Sequence, residues 1–305
     1  MAAALNHHLG AGGEDVPYAY FVRTGESSYR STLHAQGAWQ AGEQHMGAAS
    51  GLVVHHLEAV LGGDALISRI AFDILGVIHS GEFDIEVETV RPGRTIELVE
   101  ARMVHRAAHT GAEAAPATAD APARPAVEGR PRTSVVARVW RLQSSDTSPV
   151  AGDALAPFPA WEECAPRQLS ELWPGGYIAS LSGAEAPGGV PGRRQVWVHT
   201  DMPLVAGEAD GPFATFAKLA DSMNGLAVRE DPQRIFFPNV DLTLHFLRAP
   251  EAGPRGEFGF DVRQSFGPTG VGITHAVLHD GRGPLGTASQ SLTVRMPTES
   301  GRADG

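Results

Sequence analysis

Asp221 is the residue of this sequence whose neighbours argue most directly for chemistry. It follows the run Phe213-Ala-Thr-Phe-Ala-Lys-Leu-Ala220, which is largely apolar and spaced as a helix. A carboxylate buried on such a helix is either paired or put to use, because an idle charge removed from water is costly. The plainer expectation is an ion pair on the helix surface with Lys218, three residues earlier. Two strand-like segments carry further polar groups. On Phe236–Arg248, alternation places Asn239, Asp241, Thr243 and His245 on one face and Val240, Leu242, Leu244 and Phe246 on the other. The plain reading of the first set is a solvated face. Gln290 stands in Ala288-Ser-Gln-Ser-Leu292, where a lone glutamine is ordinarily a satisfied polar group.

Other reactive arrangements fail on context. Gly281-Arg-Gly-Pro-Leu-Gly286 has the spacing of a nucleotide loop, but it joins two strands and opens no helix, so it reads as a hairpin turn. Ser50 in Gly47-Ala-Ala-Ser-Gly51 is one residue out of register for a nucleophile elbow. The 13 histidines are scattered, with no metal-binding spacing. His55 and His56 are adjacent on a helix, point in different directions, and read as structural. No metal and no cofactor is expected.

The elements that must hold these residues come in two copies. Gly81-Glu-Phe83 opens an alternating stretch that ends in Arg91-Pro-Gly-Arg94, and Gly256-Glu-Phe258 opens another that ends at Gly270. Each copy reads as strand, helix, then four strands, an antiparallel sheet covered by one long helix, hence an α+β chain. In the first copy the strands are 27–39, 67–78, 82–90, 95–105 and 134–142, with the helix at 43–61. In the second they are 194–200, 236–248, 256–265, 272–279 and 287–295, with the helix at 211–225. The expected organisation is a first unit over 17–143, a connector over 144–191 and a second unit over 192–297. Within the first unit, 106–133 is rich in Ala, Pro and Thr and reads as a disordered insertion. Residues 1–16 read as a loose tail. The short apolar pieces of the connector, among them Phe158, Trp161, Leu172, Trp173 and Tyr177, are expected to anchor it on the surface. A rough alignment of the copies, within a residue or two, sets Gly51, Arg69 and Arg138 opposite Asp221, Asn239 and Gln290.

Composition bounds the partners. The chain has 305 residues, a formal charge of −11 and a single lysine, Lys218, so its acidic surface suits nucleic acid poorly. No apolar run approaches the ~20 residues of a membrane span. Met1–Asp15 has neither the basic start nor the apolar stretch of a secretory signal. Cys164 is the only cysteine, which suits a reducing cytoplasm.

Taken together, Asp221-Ser-Met-Asn-Gly225, Asn239-Val-Asp-Leu-Thr-Leu-His-Phe-Leu-Arg-Ala-Pro250, Gly267–Gly272, His279-Asp-Gly281 and Ala288–Leu292 resemble the acyl-CoA thioesterase II-like family. Trp39, His45-Met-Gly47 and Arg91–Arg94 agree in the first half. The resemblance covers most of 27–295 and rests on order and spacing rather than on any single motif. It implies a double hotdog, two helix-and-sheet units fused as a pseudo-dimer. It also implies hydrolysis of acyl thioesters, acyl-CoA or an acyl-carrier thioester, by water that an Asp–Thr/Ser/Asn–Gln set positions and activates. Asp221 and Gln290 match that set, and Asn239 stands where these enzymes carry threonine; an amide can also orient water. The backbone N–H of Gly47, at a helix start, is the candidate oxyanion donor. Arg94 and Arg248 are candidates for the CoA phosphates. His45-Met46 departs from the glycine pair that often precedes this helix. The rival expectation is an acyl-CoA-binding protein that has lost the chemistry. A hydratase ranks third, because its Asp/His pairing is not visible in the sequence. The implied protein is cytoplasmic, with room for a homo-oligomer.

Overall fold

The structure is a computed structural model, and it describes residues 16–39, 42–106 and 131–296. The expected tail and insertion fall outside the described residues except at their margins. The first half contains β1 (Phe21–Arg23), β2 (Ser28–Ser31), α1 (Met46–Val60), β3 (Ala65–Ile74), β4 (Glu82–Arg91), β5 (Ile96–His105) and β6 (Arg132–Gln143). The connector supplies β7 (Ala165–Arg167), α2 (Gly176–Ala179) and β8 (Ser182–Glu185). The second half contains β9 (Arg193–His199), α3 (Pro212–Ala220), α4 (Met223–Leu226), β10 (Asp241–Phe246), β11 (Phe258–Phe266), β12 (Val271–Asp280) and β13 (Gly283–Thr293).

All of these strands form one 13-stranded sheet in the order β1-β2-β4-β5-β6-β3-β10-β13-β12-β11-β9-β8-β7. Read outward from the centre, β3-β6-β5-β4-β2 is repeated by β10-β13-β12-β11-β9. The duplicated sequence is thus a duplicated strand order, and the double hotdog expectation holds. The seam is the antiparallel pair of β3 and β10, with Phe72 opposite Leu242. Gly81 and Gly256, which precede the repeated Glu-Phe, both have positive φ, +111° and +79°. That backbone region favours glycine, which explains why both copies carry it. Phe83 and Phe258 enter the core at matching places.

The two long helices cross each other. α1 is buried on almost every side from Met46 to Leu57, as an apolar helix in a core must be. Gly51 sits at the crossing, where a Cβ would lie 2.5 Å from Lys218 Cβ and 2.8 Å from Lys218 Cα. Ser50 Oγ donates to the Ala217 carbonyl at 2.9 Å across the same contact. On the other side of α3, the Phe216 ring packs against Phe246 of β10 and against Phe258 and Phe260 of β11. The expected hairpin turn is there but tighter: Gly281-Arg282 joins β12 to β13, and Gly283–Gly286 already belongs to β13.

Four expectations about the elements need correction. The strand expected at 27–39 is regular only over Ser28–Ser31 and gives way to a 3-10 turn at Leu33–Ala35. The helix at 211–225 is not continuous: α3 stops at Ala220 and α4 restarts at Met223. The regular strand within 236–248 spans only Asp241–Phe246, preceded by an isolated bridge from Asn239 to Leu292. Trp173 and Tyr177 of the connector are buried in the core rather than laid on the surface, Tyr177 completely so. The alternating pattern could not reveal this, because α2 has only four residues and makes no periodic face.

Candidate active site

Asp221 is the first residue past α3 and, like Ser222 after it, keeps an αR backbone before α4 begins. Its side chain is 6% exposed. The surface ion pair with Lys218 does not form. Lys218 Nζ turns the other way and donates to Asp210 Oδ2 at 2.8 Å and to the Met202 carbonyl at 3.0 Å. The Asp221 carboxylate is instead buried against the second half's strand segments.

The structure brings all three residues of the expected set together. Asn239 Nδ2 and Gln290 Nε2 each donate to Asp221 Oδ1 at 2.8 Å. Gln290 lies on the inner face of β13, opposite Thr274 of β12. Asn239 does not share a solvated face with Asp241, Thr243 and His245, because regular pairing begins only at Asp241. Ahead of it the chain bends, Val240 is exposed, and the Asn239 amide turns in. Asp241 is diverted to the Ser291 backbone N–H. Burial pushes the Asp221 carboxyl up to about 6, partly offset by the two amide donors, which favour the charged form.

Asp221 Oδ1 is therefore doubly bonded and Oδ2 is left for other work. Oδ2 lies 3.5 Å from His45 Nδ1. His45 is the N-cap of α1, and its Nδ1 accepts the Gly47 N–H at 2.9 Å. The ring stacks on Tyr177, with centroids 4.0 Å apart. Burial lowers its pKa to about 3, so the imidazole is neutral and Nδ1 is an acceptor. Gln290 Oε1 is buried with no hydrogen-bond partner among the described residues. Asp221 Oδ2 and Gln290 Oε1 are thus acceptors left without a donor among the described residues, while the one lone pair of His45 Nδ1 is taken by the Gly47 N–H. A water molecule brings two O–H donors and suits such an arrangement.

Tyr177 closes the site from behind. Its hydroxyl donates to the Lys218 carbonyl at 2.6 Å, and a Cβ on Gly47 would lie 2.4 Å from that hydroxyl. Gly47 is therefore required for close packing as well as placed at a helix start. Sequence reasoning placed His45 in a segment opening the helix and noted it as a departure from a glycine pair, but gave it no part in the site, although its place just before a helix is an N-cap signal. Tyr177 carried no such signal.

The arginine candidates lie elsewhere. Arg94 sits in the exposed turn between β4 and β5. Arg248 follows β10 at the end remote from Asn239 and forms a bidentate pair with Asp280, at 2.5 and 2.8 Å. The adjacent histidines have structural partners, His55 with Glu208 and His56 with Tyr29. Among the described residues no group of three His, Cys, Asp or Glu could hold a metal ion. No helix among them is long and apolar enough to cross a membrane.

Two family models describe successive parts of the chain. The acyl-CoA thioesterase N-terminal domain matches residues 35–121, and the acyl-CoA thioesterase C-terminal domain matches residues 154–294. The chain belongs to the acyl-CoA thioesterase family. No curated protein matches it in sequence. Among solved structures, it is similar to a conserved hot dog fold protein of unknown function from Alicyclobacillus acidocaldarius. That match has 13% identity and a TM-score of 0.65, covering 95% of this chain and 100% of that one. It is similar to a protein assigned as a thioesterase from Novosphingobium aromaticivorans, at 18% identity and TM-score 0.62, over 90% and 98% of the two chains. An acyl-CoA thioesterase II from Mycobacterium marinum matches at 15% identity and TM-score 0.58, over 94% and 98%. At such identities these likenesses speak to the fold. In this member of the family, the carboxylate and both amides come from the part matched by the C-terminal domain, while His45 and Gly47 come from the part matched by the N-terminal one.

Proposed function

We propose that this protein hydrolyses acyl thioesters, acyl-CoA above all, using a water molecule held at Asp221. The observation that carries this reading is the division of the carboxylate: Oδ1 is fixed by Asn239 and Gln290, and Oδ2 faces a donor-poor space. A water there gives one proton toward Asp221 Oδ2 and the other toward Gln290 Oε1, leaving its lone pair for the thioester carbonyl. As oxygen attacks carbon, Asp221 Oδ2 takes the proton and the carbonyl oxygen becomes an oxyanion. The tetrahedral intermediate then expels the thiolate, which recovers that proton, leaving free acid and thiol. The Gly47 N–H, at the start of α1, is the candidate oxyanion donor. No covalent enzyme intermediate and no cofactor enters the scheme.

For the anionic end of CoA, Arg94 is exposed and free to serve, whereas Arg248 is committed to Asp280. A groove of about 470 Å³ lined by Arg229, Arg234, Phe266 and Val294 offers two further arginines. Val294 lies four residues beyond Gln290 in sequence, just past the end of β13.

The deciding experiment is release of free thiol from a panel of acyl-CoAs by the wild type and by Asp221→Ala. Wild-type turnover in the variant sinks the mechanism. The alternative, an acyl-CoA-binding protein without chemistry, is favoured by the His45 ring sitting on the Gly47 N–H; a thermal shift with acyl-CoA and no thiol release would support it. The approach of His45 to Asp221 also supplies the Asp/His pairing that a hydratase reading lacked. That reading has to explain why the His45 lone pair is spent on Gly47, and hydration of an enoyl-CoA would reveal it.

A further inference from the structure

We propose that His45 is a displaceable cap, a positioning residue whose ring occupies the Gly47 N–H in the free protein and gives it up to the substrate's carbonyl oxygen. The inference rests on the hydrolytic reading above and adds a step that precedes the chemistry.

The ring is held lightly for a group so placed. One hydrogen bond, from Gly47 N–H to Nδ1 at 2.9 Å, and one stack, on Tyr177 at 4.0 Å, keep it in position. Its Nε2 makes no hydrogen bond to any described residue. On its Nδ1 side stands the Asp221 carboxylate oxygen at 3.5 Å. A neutral imidazole nitrogen that already accepts a hydrogen bond has no proton to offer an ionised carboxylate, so this contact sets acceptor against acceptor. The side chain is 15% exposed, which leaves it a way toward solvent.

The surrounding groups have no such freedom. Tyr177 is fully buried and bonded to the Lys218 carbonyl. Gly47 is pressed against Tyr177 so closely that no Cβ fits. If the carbonyl oxygen is to reach the Gly47 N–H, the ring must move and the backbone need not. Histidine is also outside the set of residues that ordinarily cap helices, Ser, Thr, Asp, Asn and Gly, so the cap here is built from a bulky group.

The net worth of a neutral hydrogen bond corresponds to roughly a 2- to 10-fold change in an equilibrium. H45G removes the ring and leaves a residue acceptable at a helix start. It should raise kcat/KM by about 2- to 10-fold in the thiol-release assay if the substrate no longer has to displace the cap. H45N restores an acceptor for the Gly47 N–H and should bring kcat/KM back toward the wild-type value. A second readout does not depend on turnover. In the wild type, an acyl-CoA ketone analogue with a methylene between sulfur and carbonyl should shift the Gly47 amide resonance at saturation. In H45G that resonance should already differ before ligand is added. An unchanged or lowered kcat/KM in folded H45G overturns the proposal, a fall meaning that the ring takes part in the chemistry. So does a Gly47 amide that stays in place when the ketone saturates the wild type. If the wild type releases no thiol from any acyl-CoA, the hydrolytic reading fails and the amide resonance alone decides the cap.

Discussion

Glu58 Oε2 accepts the backbone N–H of Ala214 at 3.0 Å, so the last turn of the first helix caps the first turn of the second. Glu58 Oε1 takes the neighbouring Phe213 N–H at 3.1 Å. The crossing helices run so that this closure lies at one end and the His45–Asp221 approach at the other. Glu58→Ala should lower stability by about 0.5–2 kcal/mol, the worth of a helix cap, in urea unfolding. The rate per folded molecule should not change, since the substitution is remote from Asp221.

Asp221→Asn tests the carboxylate without disturbing its shape, because Oδ1 can still accept from Asn239 and Gln290. Thiol release should fall by on the order of 100-fold or more, the usual contribution of a general base.

The same variant should be more stable than the wild type at neutral pH. The folded protein holds the Asp221 proton up to about 6, above the ordinary 3.8 that applies when unfolded. Between those values the folded state binds more protons, so stability falls as pH rises through the window. Asp221→Asn removes that penalty. Its advantage should be on the order of 1–3 kcal/mol above pH ~6 and vanish below pH ~4, read from urea midpoints across pH.

Turnover should follow the opposite limb. Only the ionised Asp221 accepts a proton from water, so kcat/KM should rise with pH through about 6. Asn239→Ala removes a donor that favours the charged form, and the limb should move to higher pH. Asn239→Thr, which restores the residue usual at this place in the resembled family, keeps a hydroxyl donor and should leave the limb near its wild-type position. A pH–rate profile that does not move in Asn239→Ala would separate Asn239 from the carboxylate.

Gly51→Ala should cost about 1–3 kcal/mol, because the added methyl meets Lys218 backbone and side chain at the crossing of α1 and α3. Thermal unfolding reads this directly. The position that the rough alignment sets opposite Asp221 thus has no room for a side chain. Arg138, roughly matching Gln290, is spent on Glu100 at 2.8 Å.

The duplication and the succession of strand, helix and four strands were legible because each strand alternates and each copy opens on the same glycine, which holds a positive φ in both; the order of the strands in the sheet came from the structure. The trio Asp221, Asn239 and Gln290 was legible through the family resemblance, since nothing local distinguishes Gln290 from an ordinary strand glutamine. The inward turn of Asn239 was not, because strand periodicity assumes regular pairing and that pairing begins at Asp241. The parts played by His45 and Tyr177 were hidden for a different reason. Both depend on contacts across far-separated segments, and Tyr177 reaches Lys218 from a connector without a periodic face.

The seam between β3 and β10 has a consequence for how this protein came about and how it can be altered. Because Phe72 and Leu242 are neighbours in one continuous sheet, severing the halves would bare a full row of backbone donors and acceptors on each. Such edges invite re-pairing, with a second copy or with a stranger. The fusion therefore fixes partner choice within the chain. Each half was then free to diverge without meeting an identical twin, one toward walls and a helix start, the other toward a carboxylate.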